Sequence, residues 1–140
     1  TAFAVAPPGY YITSSNVGVG GSRCIMAGEE TSESYGEVIY RDTALGLAVV
    51  YDSEADLRGL PYMPAPKNAD IGESIFSVGF SDGEFHYTQG VVAGSTGMYR
   101  LMEPAFASVG APVFSDHGQW VGVIVKDDEE AKKSACCRWT

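Results

Sequence analysis

The chain is built from short apolar runs that end at turn-forming residues, and no long segment has the i, i+3, i+4 apolar spacing of an amphipathic helix. Turns such as Pro7-Pro8-Gly9 and Asp116-His117-Gly118 separate the runs. The pattern is typical of β-strands and predicts an all-β fold. At most a single helical turn is expected within residues 14–19 and 52–57. The predicted strands cover residues 2–5, 10–13, 23–27, 34–40, 47–51, 74–79, 85–93, 111–114, 120–126 and 134–138.

The domain organisation follows from the chain length and from one proline-rich stretch. A chain of 140 residues suits one domain with a substantial core. Residues 57–72 contain three prolines and no convincing strand. Many short strands with regular turns are typical of sandwiches and barrels. We therefore predict a single domain of two small β-barrels, the first at about residues 1–58 and the second at about residues 71–140, joined by a linker at about 59–70.

The charge balance bears on the class of partner. The net charge is −9, and the nine Lys and Arg residues are scattered along the chain. Phosphate binding needs clustered basic side chains, so we expect no nucleic-acid partner. The acidic residues in 29–37 and 127–130 favour solvated loops, with a cation site or a basic partner as the alternative.

Membrane, disulfide and metal signals are weak. No stretch approaches the ~20 apolar residues that cross a bilayer, and the first residues lack the pattern of a signal peptide, so we expect no direct membrane insertion. Three cysteines cannot all pair within one molecule. The adjacent Cys136 and Cys137 alternate in direction along a strand, and Cys24, His86 and His117 lack ligand spacing, so we assign no metal and no cofactor.

Three segments of the N-terminal half follow a recognisable order. Residues 1–5 (TAFAV) form a strand of small residues around a Phe, and residues 9–17 (GYYITSSNV) are similar to the pattern G-Y-x-(I/L)-T-x-x-H-V. Residues 42–50 (DTALGLAVV) are similar to D-x-x-x-D-(I/L)-A-V-(L/V).

Four segments of the C-terminal half continue the same order. Residues 71–79 (IGESIFSVG) and 87–92 (YTQGVV) are followed by residues 107–113 (ASVGAPV), which are similar to G-N-S-G-G-P-(L/V), and then by residues 118–124 (GQWVGVI). Each segment alone has low specificity, but their joint order and spacing are specific. With these motifs the chain resembles the trypsin-like proteases of two-barrel fold, in particular the HtrA/DegP branch, over nearly its whole length.

The resemblance assigns the catalytic positions to residues that cannot perform the chemistry. The positions of the catalytic His, Asp and Ser correspond to Asn16, Gly46 and Val109. Hydrolysis by this family needs a hydroxyl nucleophile, an imidazole base and a carboxylate that orients the imidazole. The turn that forms the oxyanion hole is altered as well, with Ala107 and Ser108 at the family's Gly and Asn. The resemblance therefore implies a catalytically inactive pseudoprotease.

A protease fold without catalytic residues is still expected to have a surface that binds peptides. Proteases of this family hold substrates as an added β-strand, which requires no triad. By resemblance, the walls of such a groove are formed by Phe106 and Ala107 on one side and by Val123, Ile124 and Val125 on the other, although these residues also fit ordinary core or edge-strand positions. We expect a protein or peptide partner and a binding, scaffold or regulatory role, and the resemblance favours an extracytoplasmic location. A metal-binding or redox protein on this fold, or a residual serine protease, are the alternatives.

Overall fold

The computed structural model describes residues 1–5, 9–17, 23–26, 34–53, 63–81, 84–96, 98–102, 109–128 and 133–138. Within these ranges the regular structure consists entirely of β-strands, as the sequence predicts, and no helix long and apolar enough to span a membrane is found among them. The strands are β1 (Ala2–Val5), β2 (Tyr10–Ser14), β3 (Arg23–Met26), β4 (Ser34–Asp42), β5 (Leu47–Tyr51), β6 (Ser74–Ser81), β7 (Glu84–Thr96), β8 (Met98–Met102), β9 (Pro112–Ser115), β10 (Trp120–Asp128) and β11 (Lys133–Arg138).

The ten predicted strands are all observed, and β8 is the one that the sequence analysis missed. Its sequence, MYRLM, contains Met and Leu, which favour helices, and it shows no apolar alternation. Antiparallel pairing with β7 on one side and β11 on the other holds it extended. The predicted helical turn at 14–19 is a turn at residues 15–17 as far as it is described, and residues 18–19 and 54–57 lie outside the described part of the chain.

The first five strands form an antiparallel sheet in the order β1-β2-β5-β4-β3. Side chains alternate between its two faces, so Ala48 and Val50 of β5 are buried on one face while Leu47 points to the other. A bulge in β4 between Val38 and Tyr40 shifts the register against β5. The pairings described in this half give an open sheet rather than a closed ring.

The last six strands form a closed barrel in the order β10-β11-β8-β7-β6-β9. Its described core contains Ile75, Val92, Val113, Val121 and Ile124, together with Ala69 and Ala111 from the connecting segments. These side chains are buried because alternate residues of each strand point into the barrel. The predicted second barrel is therefore observed.

A cluster of apolar side chains joins the sheet to the barrel. Phe3 of β1 packs edge-on against Trp120 of β10, with ring centroids 5.3 Å apart, and Val123 completes the buried centre of this cluster. The connecting segment follows the same boundary, since the Met63 N–H donates to the Ala4 carbonyl at 3.1 Å and the Lys67 N–H to the Trp120 carbonyl at 2.8 Å. The sites discussed below lie along this contact between sheet and barrel.

Candidate functional site

The turn after β2 carries Asn16. Thr13 and Ser14 at the end of β2 are buried, and the Ser14 hydroxyl accepts a hydrogen bond from the Asn16 N–H at 3.2 Å. The Val17 N–H donates to the Ser14 carbonyl, also at 3.2 Å, which closes the turn. Serine at the first position of a turn favours this local hydrogen bonding. The Asn16 side chain is left exposed at the tip.

The turn between β4 and β5 carries Gly46. The Asp42 carboxylate accepts the Leu45 N–H at 2.9 Å, and the Asp42 carbonyl accepts the Gly46 N–H at the same distance. Gly46 then takes a φ of 81°, in the left-handed region that glycine adopts without steric cost. Its carbonyl accepts the Ser15 N–H at 2.9 Å. This last bond connects the Gly46 turn to the turn that carries Asn16.

Arg41 supports the same two turns, and the sequence analysis did not identify it. Its guanidinium donates from Nη1 to the Ser15 carbonyl, next to Asn16. Arg41 lies on β4 opposite Ala48 of β5, so it reaches this carbonyl across the end of the sheet. A lone arginine in a strand carries no spacing signal, and for that reason sequence reasoning had no means of finding it.

Val125 of the barrel lies next to Gly46. A Cβ atom added to Gly46 would lie 3.1 Å from the Cβ of Val125 and 3.4 Å from its Cγ1. Val125 lies on β10 at a register shift between Ile124 and Lys126, which frees it from the β11 ladder. A side chain at position 46 would therefore strain the backbone at this φ and require Val125 to shift by a few tenths of an ångström.

The turn that carries Val109 packs against the end of β2. Gly110 has a φ of 89°, its N–H donates to the Ile124 carbonyl at 2.7 Å, and the Ile124 N–H donates to the Ala111 carbonyl at 2.9 Å. A Cβ atom on Gly110 would overlap the Thr1 carbonyl oxygen and would lie 3.1 Å from the Ser14 nitrogen. Glycine is needed here for both reasons, the positive φ and the close approach.

The three positions assigned to the catalytic residues thus meet where the sheet contacts the barrel. Asn16 and Gly46 are joined by the Ser15 hydrogen bond, and the turn of Val109 lies against Ser14. An amide, a glycine and an isopropyl group supply no nucleophile, no base and no carboxylate. Ala107 and Ser108 of the predicted oxyanion turn, together with Phe106 of the predicted groove, lie outside the described residues.

The predicted groove wall on β10 requires a correction. Val123 and Ile124 are completely buried, Val123 in the cluster between sheet and barrel and Ile124 in the barrel core. Neither contributes a side chain to an open groove, because two consecutive residues of a central strand face two different packed interiors. Val125 is half-buried, and it is the residue of this predicted set that lies beside Gly46.

The histidines and Cys24 form no alternative site in the described part of the chain. His86 is exposed on β7, and His117 is exposed in the β9–β10 turn with its Nδ1 2.7 Å from Asp116. Burial raises the pKa of the Cys24 thiol, and the thiol donates to the Gly36 carbonyl at 3.6 Å, so it is a poor nucleophile. No group of three His, Cys, Asp or Glu side chains suited to a metal occurs among the described residues. The prediction that Cys136 and Cys137 point to opposite faces of their strand concerns side chains outside the described part of the structure.

Burial also raises the pKa of the Tyr11 hydroxyl, and the negative charge of Asp52 acts in the same direction. Tyr11 and Cys24 therefore remain neutral near pH 7. Neither supplies an ionised group for acid–base or nucleophilic chemistry in the first sheet.

Comparisons with known proteins agree with this architecture. The structure is similar to the crystal structure of the serine endoprotease from Yersinia pestis, with a TM-score of 0.81 over 98% of this chain and 19% sequence identity. The chain spans 52% of that protein's chain, so the similarity concerns the fold of about half of it. A search of curated proteins finds no significant match. The family model of the trypsin-like peptidase domain matches residues 1–123, and the predicted trypsin-like fold is thereby confirmed: the chain belongs to the trypsin-like peptidase domain family.

Proposed function

We propose that this protein is a pseudoprotease, a trypsin-like domain that hydrolyses no peptide bonds and acts by binding protein segments. The observation that carries the proposal is the geometry of Gly46. The position assigned to the carboxylate has a φ of 81°, and Val125 occupies the space that a side chain would need. The folded turn therefore favours glycine at the position assigned to the carboxylate, in addition to lacking the carboxylate itself.

The other two positions support the same reading. Val109 offers no hydroxyl to attack a carbonyl carbon, and Asn16 has no proton to exchange near neutral pH. A trypsin-like enzyme that loses its triad retains only a small rate enhancement, of order ~10³ to 10⁴ over water. The retained fold is then available for a role other than hydrolysis, because a fold alone does not determine function.

Restoring the three catalytic side chains is expected to leave the protein inactive. The triple variant Asn16→His/Gly46→Asp/Val109→Ser supplies all three groups in the sequence. The carboxylate introduced at position 46 would sit on a backbone with a strained φ, with its Cβ only 3.1 Å from the Val125 Cβ, so we expect it to be held out of the position that orients the imidazole. Hydrolysis of fluorescein-labelled casein and labelling by a serine-directed phosphonate probe measure the result. The serine endoprotease from Yersinia pestis, assayed in parallel, serves as the positive control.

The two arms of this experiment test different statements. Phosphonate labelling of the wild-type protein, or casein hydrolysis by it, would overturn the pseudoprotease proposal. Hydrolysis by the triple variant alone would leave the wild type inactive and would show that the Gly46 turn accepts a carboxylate. A further variant, with Val125→Gly added, separates the close contact from the strained φ, since it removes only the contact.

The binding role rests on the edge of β10 along Val125 to Asp128 that faces away from β11, next to which the described residues place no strand. Pairing with β9 ends at Val123. The Ile124 carbonyl then accepts the Gly110 N–H, and the Ile124 N–H donates to the Ala111 carbonyl. Along Val125 to Asp128 no described strand pairs with this side of β10, while β11 occupies the other side. An extended peptide added there would gain backbone hydrogen bonds without any catalytic residue.

Peptide binding at this edge is expected to depend on the backbone of the peptide. A peptide selected against the protein from a random library should lose at least ~10-fold in affinity when alternate residues are N-methylated, because N-methylation removes the N–H donors and leaves the side chains. Fluorescence anisotropy gives the affinity, and NMR shifts of Val125 to Asp128 give the location. Equal affinity of the methylated and unmethylated peptides, or failure to select any peptide, would argue against strand addition.

A further inference from the structure

The outer face of β6 and β7 lies away from the site described above. Along β6, Ile75 and Ser77 point into the barrel and are buried, whereas Phe76, Val78 and Phe80 alternate with them and point outward. The β6–β7 register places Val78 opposite Tyr87 and Phe80 opposite Phe85. Pairing of β6 with β9 places Phe114 beside Phe76. The outward positions of three adjacent strands therefore carry aromatic side chains.

These side chains lie on one face of the barrel, which we call the aromatic face and define as Phe76, Phe80, Phe85, Tyr87 and Phe114; their ring contacts form two groups, with Val78 between Phe76 and Phe80 along β6. The Phe76 ring stacks on Phe114 at 5.2 Å and on Tyr87 at 5.6 Å between centroids. Phe80 and Phe85 meet edge-on at 5.6 Å. Phe114 also contacts the cluster between sheet and barrel, so the face begins at that packed contact and runs out to solvent.

Three rings of the aromatic face are open to solvent. Phe85 is 56% exposed, Tyr87 54% and Phe80 37%. At about 200 Å² of surface for each aromatic side chain, these rings leave about 300 Å² of largely apolar area in water. A patch of about 300 Å² is the size of the largest apolar patch on an ordinary monomer, and such a patch is often functional.

An exposed apolar pair on the first sheet differs from the aromatic face because a cationic side chain lies over it. Ile25 and Tyr35 are 62% and 63% exposed and lie opposite each other on β3 and β4. The Arg23 guanidinium lies over the Tyr35 ring, 5.5 Å from its centroid, so part of that pair is covered by the protein itself. β6, β7 and β9 themselves contain no Lys or Arg, so none of these three strands supplies a cation over the Phe85 and Tyr87 rings.

The charges around the aromatic face are acidic. Exposed Glu84 precedes Phe85 in β7, so strand alternation directs its side chain to the opposite face, whereas Glu73 directly precedes β6 at the other end of the aromatic face. Exposed Asp116 adjoins the start of β6, because its N–H donates to the Ser74 carbonyl at 3.2 Å. The net charge of the whole chain is −9. Lys and Arg side chains of a partner would therefore be attracted to the rim, and acidic ones repelled.

The size of the aromatic face indicates what kind of partner it fits. A stable dimer buries about 800 Å² on each partner, more than twice the exposed aromatic area. Two copies would also bring two net charges of −9 together across an acidic rim. A short segment that inserts a few apolar side chains between the rings requires far less area.

We propose that the aromatic face is a docking surface for a short segment of a partner protein whose apolar side chains are flanked by Lys or Arg. The rings of Phe80, Phe85 and Tyr87 provide the apolar contact, and Glu73 and Asp116, at the Ser74 end of the aromatic face, attract the basic flanks. This surface is separate from the β10 edge and does not depend on whether the domain hydrolyses peptides.

The test uses a fluorescein-labelled probe peptide, Lys-Lys-Trp-Leu-Lys-Phe-Lys-Lys, and its counterpart with every Lys replaced by Glu. Fluorescence anisotropy is expected to show micromolar binding of the Lys peptide, weakening as salt is raised, and at least ~10-fold weaker binding of the Glu peptide. The variant Phe85→Ser/Tyr87→Ser should reduce affinity for the Lys peptide at least ~10-fold. The single variant Asp116→Lys should weaken it about threefold through charge alone.

The matched control is Ile25→Ser/Tyr35→Ser, which removes an equally exposed apolar pair from the other sheet and should leave the affinity unchanged. Circular dichroism and the melting temperature verify that each variant is folded. Equal loss in both double variants, equal binding of the two peptides, or no binding of the Lys peptide would overturn the proposal. A dimer in sedimentation velocity that Phe85→Ser/Tyr87→Ser dissociates would overturn it in favour of a second copy as the occupant.

Discussion

Replacing Gly110 with alanine is expected to lower the free energy of unfolding by about 3–5 kcal/mol, at the upper end of what single substitutions do. Two effects combine at this position. A non-glycine residue at a φ of 89° is strained, and the added Cβ would overlap the backbone oxygen of Thr1, which cannot rotate away as a side chain would. The same atom would lie 2.9 Å from the Thr13 hydroxyl. Urea unfolding followed by circular dichroism measures the loss.

The chain contains a control for the backbone strain alone. Gly118 has a φ of 78°, and a Cβ added there meets no atom within 4 Å. Gly118→Ala is therefore expected to cost only about 1–2 kcal/mol. The difference between the two variants isolates the steric contact of the Val109 turn with the N-terminal strands. Equal losses in Gly110→Ala and Gly118→Ala would contradict the close approach.

Truncating Trp120 to alanine is expected to cost about 3–5 kcal/mol, because it removes the largest side chain of the cluster between sheet and barrel. The buried indole contacts Phe3 edge-on, and its Nε1–H donates to the Gly122 carbonyl at 2.8 Å. The cavity left behind would adjoin Val123, which has no exposed surface and cannot move outward to fill it. Thermal and urea unfolding report the change.

Two comparison variants make the Trp120 result specific. Trp120→Phe retains most of the ring and loses the hydrogen bond to Gly122, so about 1–2 kcal/mol is expected. Phe85→Ala removes an aromatic ring that is largely exposed, and less than about 1 kcal/mol is expected. If Trp120→Ala were no more destabilising than Phe85→Ala, the contact between sheet and barrel would contribute little to stability.

The strands were predictable because their signal is local. Alternation of apolar and polar residues, with Gly, Pro and Asp at the ends, places β5 at Leu47–Tyr51 and β9 near Pro112–Ser115. β8 was missed because its residues do not alternate, and its extended state comes from pairing with β7 and β11. The predicted linker is hydrogen-bonded to both parts of the domain, because the Met63 N–H donates to Ala4 of the sheet and the Lys67 N–H to Trp120 of the barrel.

The sequence analysis assigned the catalytic positions to Asn16, Gly46 and Val109, and this assignment stays a prediction, although the fold brings their turns together. It left Val123 and Ile124 open between a groove wall and the core, and the structure buries both, because the face on which a residue of β10 is buried depends on which neighbouring element covers it. Arg41 was missed because its acceptor, the Ser15 carbonyl, lies 26 positions away in the chain, where no local pattern links the two residues.

Residue identity alone decides which chemistry is available at a position, so the lack of a hydroxyl, an imidazole and a carboxylate at the three assigned positions was evident before any coordinates. Whether such groups would have room is a property of the folded chain. The left-handed turn at Gly46 and the approach of Val125 come from segments of two different sheets. The same holds for the aromatic face, whose rings lie on three strands that only the barrel places side by side. Local patterns carry information about local conformation, whereas long-range contacts determine which surfaces meet and which remain open.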